Sequence, residues 1–410
     1  TLDLKSGINI LYGVNGTGKT SILKAINSAA GGFFENLKTV ENYRFHGSDI
    51  RLVIQNNMPY PQYQFPVEIE TSGSILEKHL TWVITMNSAI MNSPALVDSI
   101  DKNITRISTF ADEAVRRGEM LKLPIIAYFS TQRLFGESKV SKKKLDGRLS
   151  GYHNALNATN IRQQIQSWLK DAEYEQYQKR QTQPNFTNIG LESIRELILT
   201  HFKEWKRIYY YEPSFDATSL VGGIYIERED GNIVHEYLLS DGYRNFLWLF
   251  LEIAWRCYML NPFLEERIFE ETTGIVTIDE IDLHLHPKWQ QQVVSKLKNA
   301  FPKVQFVITT HSPIILSAAD ANVLLLDGDK VLPQNKLYGM KPTHILEMYM
   351  QTMERLPQHQ TLIEQYFKLI NQEKGKSESG LQLRKALENT LSKEDPLFTE
   401  ADALIAFLSY

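Results

Sequence analysis

Gly13-Val-Asn-Gly-Thr-Gly-Lys-Thr20 combines glycines, a lysine and a threonine at a spacing that can hold phosphate. Glycines let backbone N–H groups turn inward and approach phosphate oxygens. A helix starting near Lys19 would add the positive end of its dipole. The run fits Gly-x-x-x-x-Gly-Lys-Thr completely, so Lys19 is expected to reach the β- and γ-phosphates of ATP and Thr20 to ligate Mg²⁺. Asn15, Gly16, Gly18 and Ser21 complete the expected phosphate cradle. An incidental glycine-rich turn would not need a strand before it and a helix after it, and both are predicted here.

A second chemical group is Ile275-Val-Thr-Ile-Asp279-Glu280, a buried-strand pattern ending in two acids. An Asp at a strand tip can hold the Mg²⁺ water shell opposite Thr20, and the following Glu can orient or deprotonate an attacking water. Many exposed loops begin with acids, so this pattern gains meaning from the phosphate loop beside it. Phe306-Val-Ile-Thr-Thr-His311-Ser312 is a further strand tip. A lone histidine among ten is more often a packing residue. The strand-tip position favours a His311 that hydrogen-bonds the γ-phosphate or the water. Leu239-Ser240-Asp-Gly242-Tyr243-Arg244 opens a long helix pattern; taken alone, Ser240 reads as its N-cap, with N–H groups near Gly242 able to bind an anion. His284-Leu-His286 has metal-like spacing but no third or fourth ligand at a recognisable spacing, and reads as a loop after the acidic pair. Cys257 on an apolar helix reads as core. Trp205-Lys-Arg-Ile-Tyr-Tyr-Tyr211 interleaves basic and aromatic residues, as a nucleic-acid platform would, but reads as a packed strand.

These groups need elements to position them. Ile8–Tyr12 is a short apolar strand, and Ser21–Ala30 a helix. Thr1–Leu4 reads as half of a strand already under way, which suggests a natural N-terminus upstream. Asp49–Gln55, Val67–Thr71 and Leu80–Thr85 carry alternation typical of a small antiparallel sheet. Ile104–Met120 is a predicted helix and Leu123–Ser130 a buried strand. Glu137–Arg148, with Lys142–Lys144, is a polar loop. Asn160–Gln181 and Gly190–Phe202 are helical. Gly223–Arg228 and Asn232–Tyr237 flank Glu229-Asp-Gly231, a hairpin signal. Ser240–Leu260 and Lys288–Asn299 are predicted helices, and Gly274–Asp279, Val304–Thr309 and Val323–Leu326 strands. Strand–helix–strand alternation implies a parallel sheet. From about Thr343 onward the spacing is helical.

The chain has 410 residues, 43% hydrophobic and 22% charged, which is a globular balance with room for two or three domains. The longest apolar run, Phe246–Trp255, is broken by Glu252 and is half of what a membrane helix needs. A formal net charge of −4 excludes a strongly basic nucleic-acid binder, though not a local patch. A single cysteine excludes an internal disulfide framework, a multi-Cys zinc site and an iron–sulfur cluster, and suggests a reducing, cytoplasmic compartment.

Taken in order, these motifs resemble those of the ABC-type ATPases of the SMC, RecF and OLD group. Gly13–Thr20 is similar to their Walker A, Ser240–Arg244 to their signature, Asp279–Glu280 to their Walker B, Asp282–His286 to their D-loop and His311 to their switch histidine. Asp-Glu-Ile-Asp-Leu-His-Leu-His-Pro287 and Thr310-His-Ser-Pro313 most resemble the OLD-like branch. The signature departs from Leu-Ser-Gly-Gly-Gln: Asp241 replaces the first glycine and Tyr243 the glutamine. Gln132 is a candidate Q-loop ligand to Mg²⁺, with Arg133 equally well placed.

The resemblance implies an α/β fold: a P-loop ABC-type ATPase head (mixed sheet with an antiparallel subdomain) plus inserted helices and an α-helical C-terminal region. The expected division is lobe I over residues 1–135, a helical insertion over 136–212, lobe II over 213–335 and a helical region over 336–410. It further implies that Ser240 and Gly242 of one copy complete the ATP site of another, with Arg244 a further cofactor-binding candidate, Glu280, His311 and Lys19 catalytic, and Thr20, Asp279 and Gln132 on the metal. The helical tail lacks the strands and the Glu and Asp-x-Asp set of a Toprim nuclease. A short OLD-like ATPase of this kind resembles the PtuA family of Septu and some retron anti-phage systems. That likeness implies a regulatory ATPase that dimerises through ATP and controls a separate HNH nuclease (PtuB-like), a reverse transcriptase with its DNA/RNA product, or both. The competing expectation is a RecF-like repair ATPase that binds DNA directly, for which Lys142–Lys144 is the candidate patch. A transporter subunit and a non-enzymatic scaffold fit the motifs less well.

Overall fold

The computed structural model describes residues 1–41, 49–54, 60–87, 99–134, 147–157, 161–212, 221–328, 330–334, 337–350, 352 and 355–408. It divides into two compact units, Thr1–Met340 and Lys341–Tyr410.

The first unit is built on a six-stranded sheet in the order Lys330–Gln334, Asn322–Asp327, Ile8–Tyr12, Val304–Thr309, Gly274–Ile278, Ile125–Phe129. All neighbours are parallel except the edge pair Asn322–Asp327 with Lys330–Gln334. Parallel strands buried on both faces need continuous apolar runs rather than alternation. Ile8–Tyr12 and Ile125–Phe129 are buried at every position. Ile8 lies opposite Phe306, Val276 opposite Phe306 and Ala127 opposite Val276. The register brings the C-terminal ends of Ile8–Tyr12, Val304–Thr309, Gly274–Ile278 and Ile125–Phe129 to one edge. That edge is where ligands bind in open parallel sheets. The sequence places its phosphate loop, its acidic pair, its Thr-Thr-His run and Gln132 immediately after those four ends.

Thr1–Leu4 is not in a strand, contrary to the sequence expectation. The backbone of Lys5 is used otherwise: its N–H donates to Asn9 Oδ1 at 2.8 Å and its carbonyl accepts from Asn9 Nδ2 at 2.8 Å. Asn322 Nδ2 donates to Asn9 Oδ1 at 2.9 Å, so the buried Asn9 is fully engaged. The edge strand Lys330–Gln334 has no counterpart in the sequence reading, because Pro333 argues against a strand; an edge tolerates it.

A separate antiparallel sheet joins Val67–Ile75, Lys78–Met86 and Ser99–Ile100, while Leu52–Val53 pairs with Gln62–Tyr63. The sequence reading stops its strands too early at this hairpin. The turn uses Leu76 and Glu77 at φ 49° and 63°, a two-residue geometry normally signalled by Asn-Gly. Helix Lys102–Arg116 follows, capped by Asp101, which accepts from Asn103 N at 2.6 Å.

Helices Arg162–Thr182 and Ile189–His201 are stitched together by Gln176 Nε2 donating to Glu192 Oε1 at 2.8 Å. The described part of the expected insertion is not helical throughout. Trp205–Tyr211 is a strand, antiparallel to Gly223–Arg228, which pairs in turn with Ile233–His235. Helix Asp241–Leu260 is buried along most of its length. Its Arg256, 1% exposed, donates to Glu252 Oε1 and to the carbonyls of Gly151 and His153. Removing Glu252 would strand a buried guanidinium, at a cost of about 3 kcal/mol or more. The predicted helix Lys288–Asn299 is two, Pro287–Gln290 and Val293–Ala300, with Gln292 at the N-cap of the second.

The second unit contains helices Pro342–Met348, Pro357–Asn371, Glu378–Thr390 and Pro396–Leu408. Three begin with proline, whose missing N–H costs nothing in a first turn. Ile363, Tyr366, Ile370, Leu387, Leu397, Phe398 and Ala401 form its core. Arg355 grips Asp395 with two bonds of 2.8 Å. No helix among the described residues is long and apolar enough to cross a membrane.

Candidate functional site

The loop after Ile8–Tyr12 runs into helix Lys19–Gly31. Gly16 and Gly18 sit at φ 83° and 87°, in the left-handed region that side chains resist, and a Cβ at either would meet no atom. Their glycine identity therefore answers to backbone conformation, the need of a loop whose N–H groups face inward. Lys19, 7% exposed, donates from Nζ to Gly13 O at 2.8 Å and Val14 O at 2.9 Å. Burial lowers its pKa, while Asp279, Glu280 and Asp282 pull it back up. Asn15, Gly16, Thr20 and Ser21 are exposed around this cation.

Thr20 Oγ1 donates to Asp279 Oδ2 at 2.9 Å, joining the phosphate loop to the acidic strand tip. Asp279 is 3% exposed, and its other oxygen accepts from Thr309 Oγ1 at 2.6 Å. The Thr309 hydroxyl in turn accepts from Glu280 N at 2.8 Å. Glu280 itself turns at φ 46°. One residue on, Thr310 Oγ1 donates to Asp282 Oδ1 at 2.6 Å, and His311 N donates to the same oxygen at 3.4 Å. Ser312 caps helix Pro313–Ala318 and donates to Gln290 Oε1 at 2.7 Å. Lys19, Thr20, Asp279, Glu280 and His311 thus lie on adjoining strand ends, tied through Thr309, Thr310 and Asp282.

Gln132 is exposed at the end of the Ile125–Phe129 strand, its N–H on Ser130 Oγ at 3.2 Å. No hydrogen bond described for its side chain reaches Thr20 or Asp279. Lys142–Lys144 lies outside the described residues.

Ser240, Gly242 and Arg244 stand apart from the phosphate loop, at the start of helix Asp241–Leu260. Ser240 stands at the N-cap of this helix, as expected, but its side chain makes no cap bond and the residue is exposed. Asp241, placed between Ser240 and Gly242, instead accepts from Arg244 Nη2 at 2.7 Å. Arg244 Nε is buried without a hydrogen-bond partner among the described residues. Gly242 packs on the loop after the acidic pair, where a Cβ would stand 2.4 Å from His284 O. Asn245 Nδ2 donates to Leu283 O at 3.2 Å in the same contact. Tyr243 faces the protein, edge-on to Trp289 at 4.9 Å, and burial raises its pKa. His286 begins helix Pro287–Gln290, accepting from Lys288 N at 3.3 Å.

Sequence reasoning missed Thr309, Thr310 and Asn245. The available signal was two hydroxyls ending an otherwise apolar buried strand, where each must find a partner.

The fit of Mg²⁺ and ATP can be tested on this geometry. A hydroxyl and a carboxylate oxygen meet at 2.9 Å beside a buried ammonium and a left-handed glycine loop opening a 13-residue helix. Hard oxygen donors suit magnesium, and the loop and cation suit polyphosphate. The residues fit both.

Comparison with known proteins agrees. A model described as AAA domain matches residues 1–198, and one described as AAA ATPase domain matches residues 122–316. The chain is 26% identical to the retron Vc95 probable ATPase of Vibrio cholerae serotype O1 biovar El Tor, over 75% of this chain and 66% of that one. It is 25% identical to the retron Ec83 probable ATPase of Escherichia coli, over 97% of this chain and 82% of that one. It is 29% identical to the Septu protein PtuA of Bacillus mycoides strain KBAB4, over 80% of this chain. The chain spans just under two thirds of the Vibrio protein and 36% of that PtuA. With these matches laid over a P-loop sheet edge, the chain carries an ATPase domain and is similar to the retron probable ATPases and to the Septu protein PtuA.

Proposed function

We propose that this chain is the regulatory ATPase of a bacterial anti-phage defence system. ATP would join two copies and thereby control a separate effector, an HNH nuclease or a retron complex of reverse transcriptase and its nucleic-acid product. The observation that carries the ATPase part is the bonded series Thr20–Asp279–Thr309–Glu280 beside the buried Lys19. In this reading Lys19 binds the β- and γ-phosphates, and the N–H groups from Asn15 to Ser21 cradle them. Thr20 and Asp279 would hold Mg²⁺, with Gln132 adding a ligand from the neighbouring strand end. Magnesium, when bound, supplies charge neutralisation at the phosphates. Glu280 orients the attacking water and accepts its proton, and His311 steadies the γ-phosphate side.

The association part rests on the signature end. Ser240 is exposed and its side chain makes no cap bond, while Arg244 Nε is buried without a hydrogen-bond partner among the described residues. A γ-phosphate held by a second copy would supply an acceptor for the exposed Ser240 hydroxyl, so the two faces would fit only with nucleotide between them. The defence assignment draws on the relatives named retron ATPase and Septu PtuA. A net charge of −4 favours control of another chain over direct DNA binding.

The test is light scattering of the purified chain with and without Mg·ATP. Glu280→Gln should accumulate dimers or larger assemblies in ATP, and Lys19→Ala should stay at the nucleotide-free mass. An assembly state indifferent to ATP and to Lys19→Ala would sink the gating idea. Affinity purification from the native host then decides the effector. A stoichiometric HNH nuclease or reverse transcriptase supports the defence reading, and replication and repair proteins alone reject it.

A further inference from the structure

Thr309 touches both acids of the proposed catalytic pair, although it reads in the sequence as the last residue of an apolar strand. It is fully buried, 0% exposed, at the tip of Val304–Thr309. Its hydroxyl donates to Asp279 Oδ1 at 2.6 Å and accepts from Glu280 N at 2.8 Å. Its carbonyl accepts from Ile281 N at 3.0 Å. One threonine therefore holds three consecutive residues, Asp279, Glu280 and Ile281, from the neighbouring strand.

The middle residue of the three is strained. Glu280 turns at φ 46°, in a region that costs a residue with a Cβ on the order of 1 kcal/mol or more. Such a conformation persists only where its surroundings over-determine it. The N–H groups of Glu280 and Ile281, both directed onto Thr309, are that restraint. The direction of the Glu280 side chain follows from the same turn. The hydroxyl's single proton goes to the carboxylate and its lone pair to the amide, so neither bond can be reversed by rotation.

We propose that Thr309 is a positioning residue for ATP hydrolysis: its hydroxyl fixes where Glu280 points relative to Asp279. The inference rests on the catalytic reading of Glu280 above. A continuous path runs from Thr20 through Asp279 Oδ2, Asp279 Oδ1 and the Thr309 hydroxyl to the Glu280 amide. The residue that would hold the metal and the residue that would handle the water are thus set by one side chain.

Thr309→Val keeps shape and removes both hydroxyl bonds, while Thr309→Ser restores them. Loss of a partner that orients a ligand typically costs 10–100-fold in activity. The Val variant should lose about tenfold or more in kcat, with KM for ATP and affinity for a non-hydrolysable analogue within about twofold. Its Glu280 amide should exchange with deuterium at least about tenfold faster in the nucleotide-free chain, since a lost buried bond of about 1.4 kcal/mol is a factor of ten. The Ser variant should recover more than about half of kcat and the amide protection. If the Val variant does not fold, Thr309→Cys takes its place, because a thiol is a weak donor and acceptor and the same kcat loss is expected. A Val or Cys variant that keeps kcat within about twofold overturns the inference, as does a Ser variant that fails as badly as Val. Lys19→Ala runs in parallel: if it leaves hydrolysis intact, the catalytic reading itself fails. If it abolishes hydrolysis while Thr309→Val does not, only the role of Thr309 falls.

Discussion

Thr310 Oγ1 donates to Asp282 Oδ1 at 2.6 Å, and the His311 amide donates to the same oxygen at 3.4 Å. His311 is thereby held by the loop that also packs on Gly242 and Asn245 at the start of helix Asp241–Leu260. A contact made at Ser240 has a short covalent and hydrogen-bonded route to His311 within the same chain. Asp282 is the shared element, since its one oxygen accepts both bonds.

Asp282→Asn should therefore weaken hydrolysis without abolishing nucleotide binding, because a charge-assisted acceptor becomes a neutral one. The expected loss is about tenfold in kcat. Thr310→Val should lose a similar amount, and the double variant should lose little more than either alone. Steady-state ATPase rates on the four proteins give the coupling. Fully additive losses would show that the two residues act separately.

Glu280→Gln and Lys19→Ala should separate binding from chemistry. The glutamine keeps size and polarity but cannot take a proton, so kcat should fall about a hundredfold or more with ATP affinity retained. Lys19→Ala removes a buried ammonium that meets two carbonyls, and the phosphates lose their cation. Titration with a fluorescent ATP analogue should show weakened binding for Lys19→Ala alone. Equal affinities for both variants would contradict the assignment of Lys19.

Gly242→Ala is expected to be costly for a reason unrelated to backbone freedom. The added methyl would stand 2.4 Å from the His284 carbonyl, a backbone atom that cannot rotate away. His284 already sits at φ 62°, so the loop has little slack. Overpacking of this kind costs about 1–3 kcal/mol. Chemical denaturation should show that loss, and ATP-dependent association should weaken as the signature end shifts. Unchanged stability and association would mean that the loop yields freely.

Much of this was legible in the sequence because it is local. Val304–Thr309 is a strand over the same residues in both sequence and structure, since an apolar β-branched run bounded by polar residues needs no distant information. Gly13–Thr20 is likewise self-contained. What depends on partners far along the chain was not legible. Thr309 bonds residues 29 and 30 positions away, and nothing in its own neighbourhood announces them. The Leu76-Glu77 turn lacks the residues that usually signal its geometry. Ser240 takes the N-cap place that the local rule gives it but makes no side-chain cap bond, and Gly242 two residues on lies against His284. That exception falls where the proposed second copy would dock, which is where a departure from local rules is expected.

His201 gives the stability a pH dependence of known sign. Burial, aided by the nearby Lys296, pushes its pKa down from 6.5 to about 4. Its ring packs on Phe250 at 5.4 Å, while its carbonyl accepts from Lys296 Nζ. As pH falls through 6.5 the unfolded chain takes up a proton that the folded chain refuses until about 4. The folded state therefore loses stability across that window, and gains none of it back below. After discounting for the part of the ring that water reaches, the loss is about 2 kcal/mol. His201→Phe keeps a ring against Phe250 and leaves the carbonyl bond in place, but has nothing to titrate. Urea unfolding at pH 7 and pH 4.5 should show the wild-type chain losing about 1–2 kcal/mol more than the variant over that interval. Groups that titrate in both proteins cancel in the comparison. Equal losses would mean that His201 takes up its proton as readily in the folded chain as in the unfolded one.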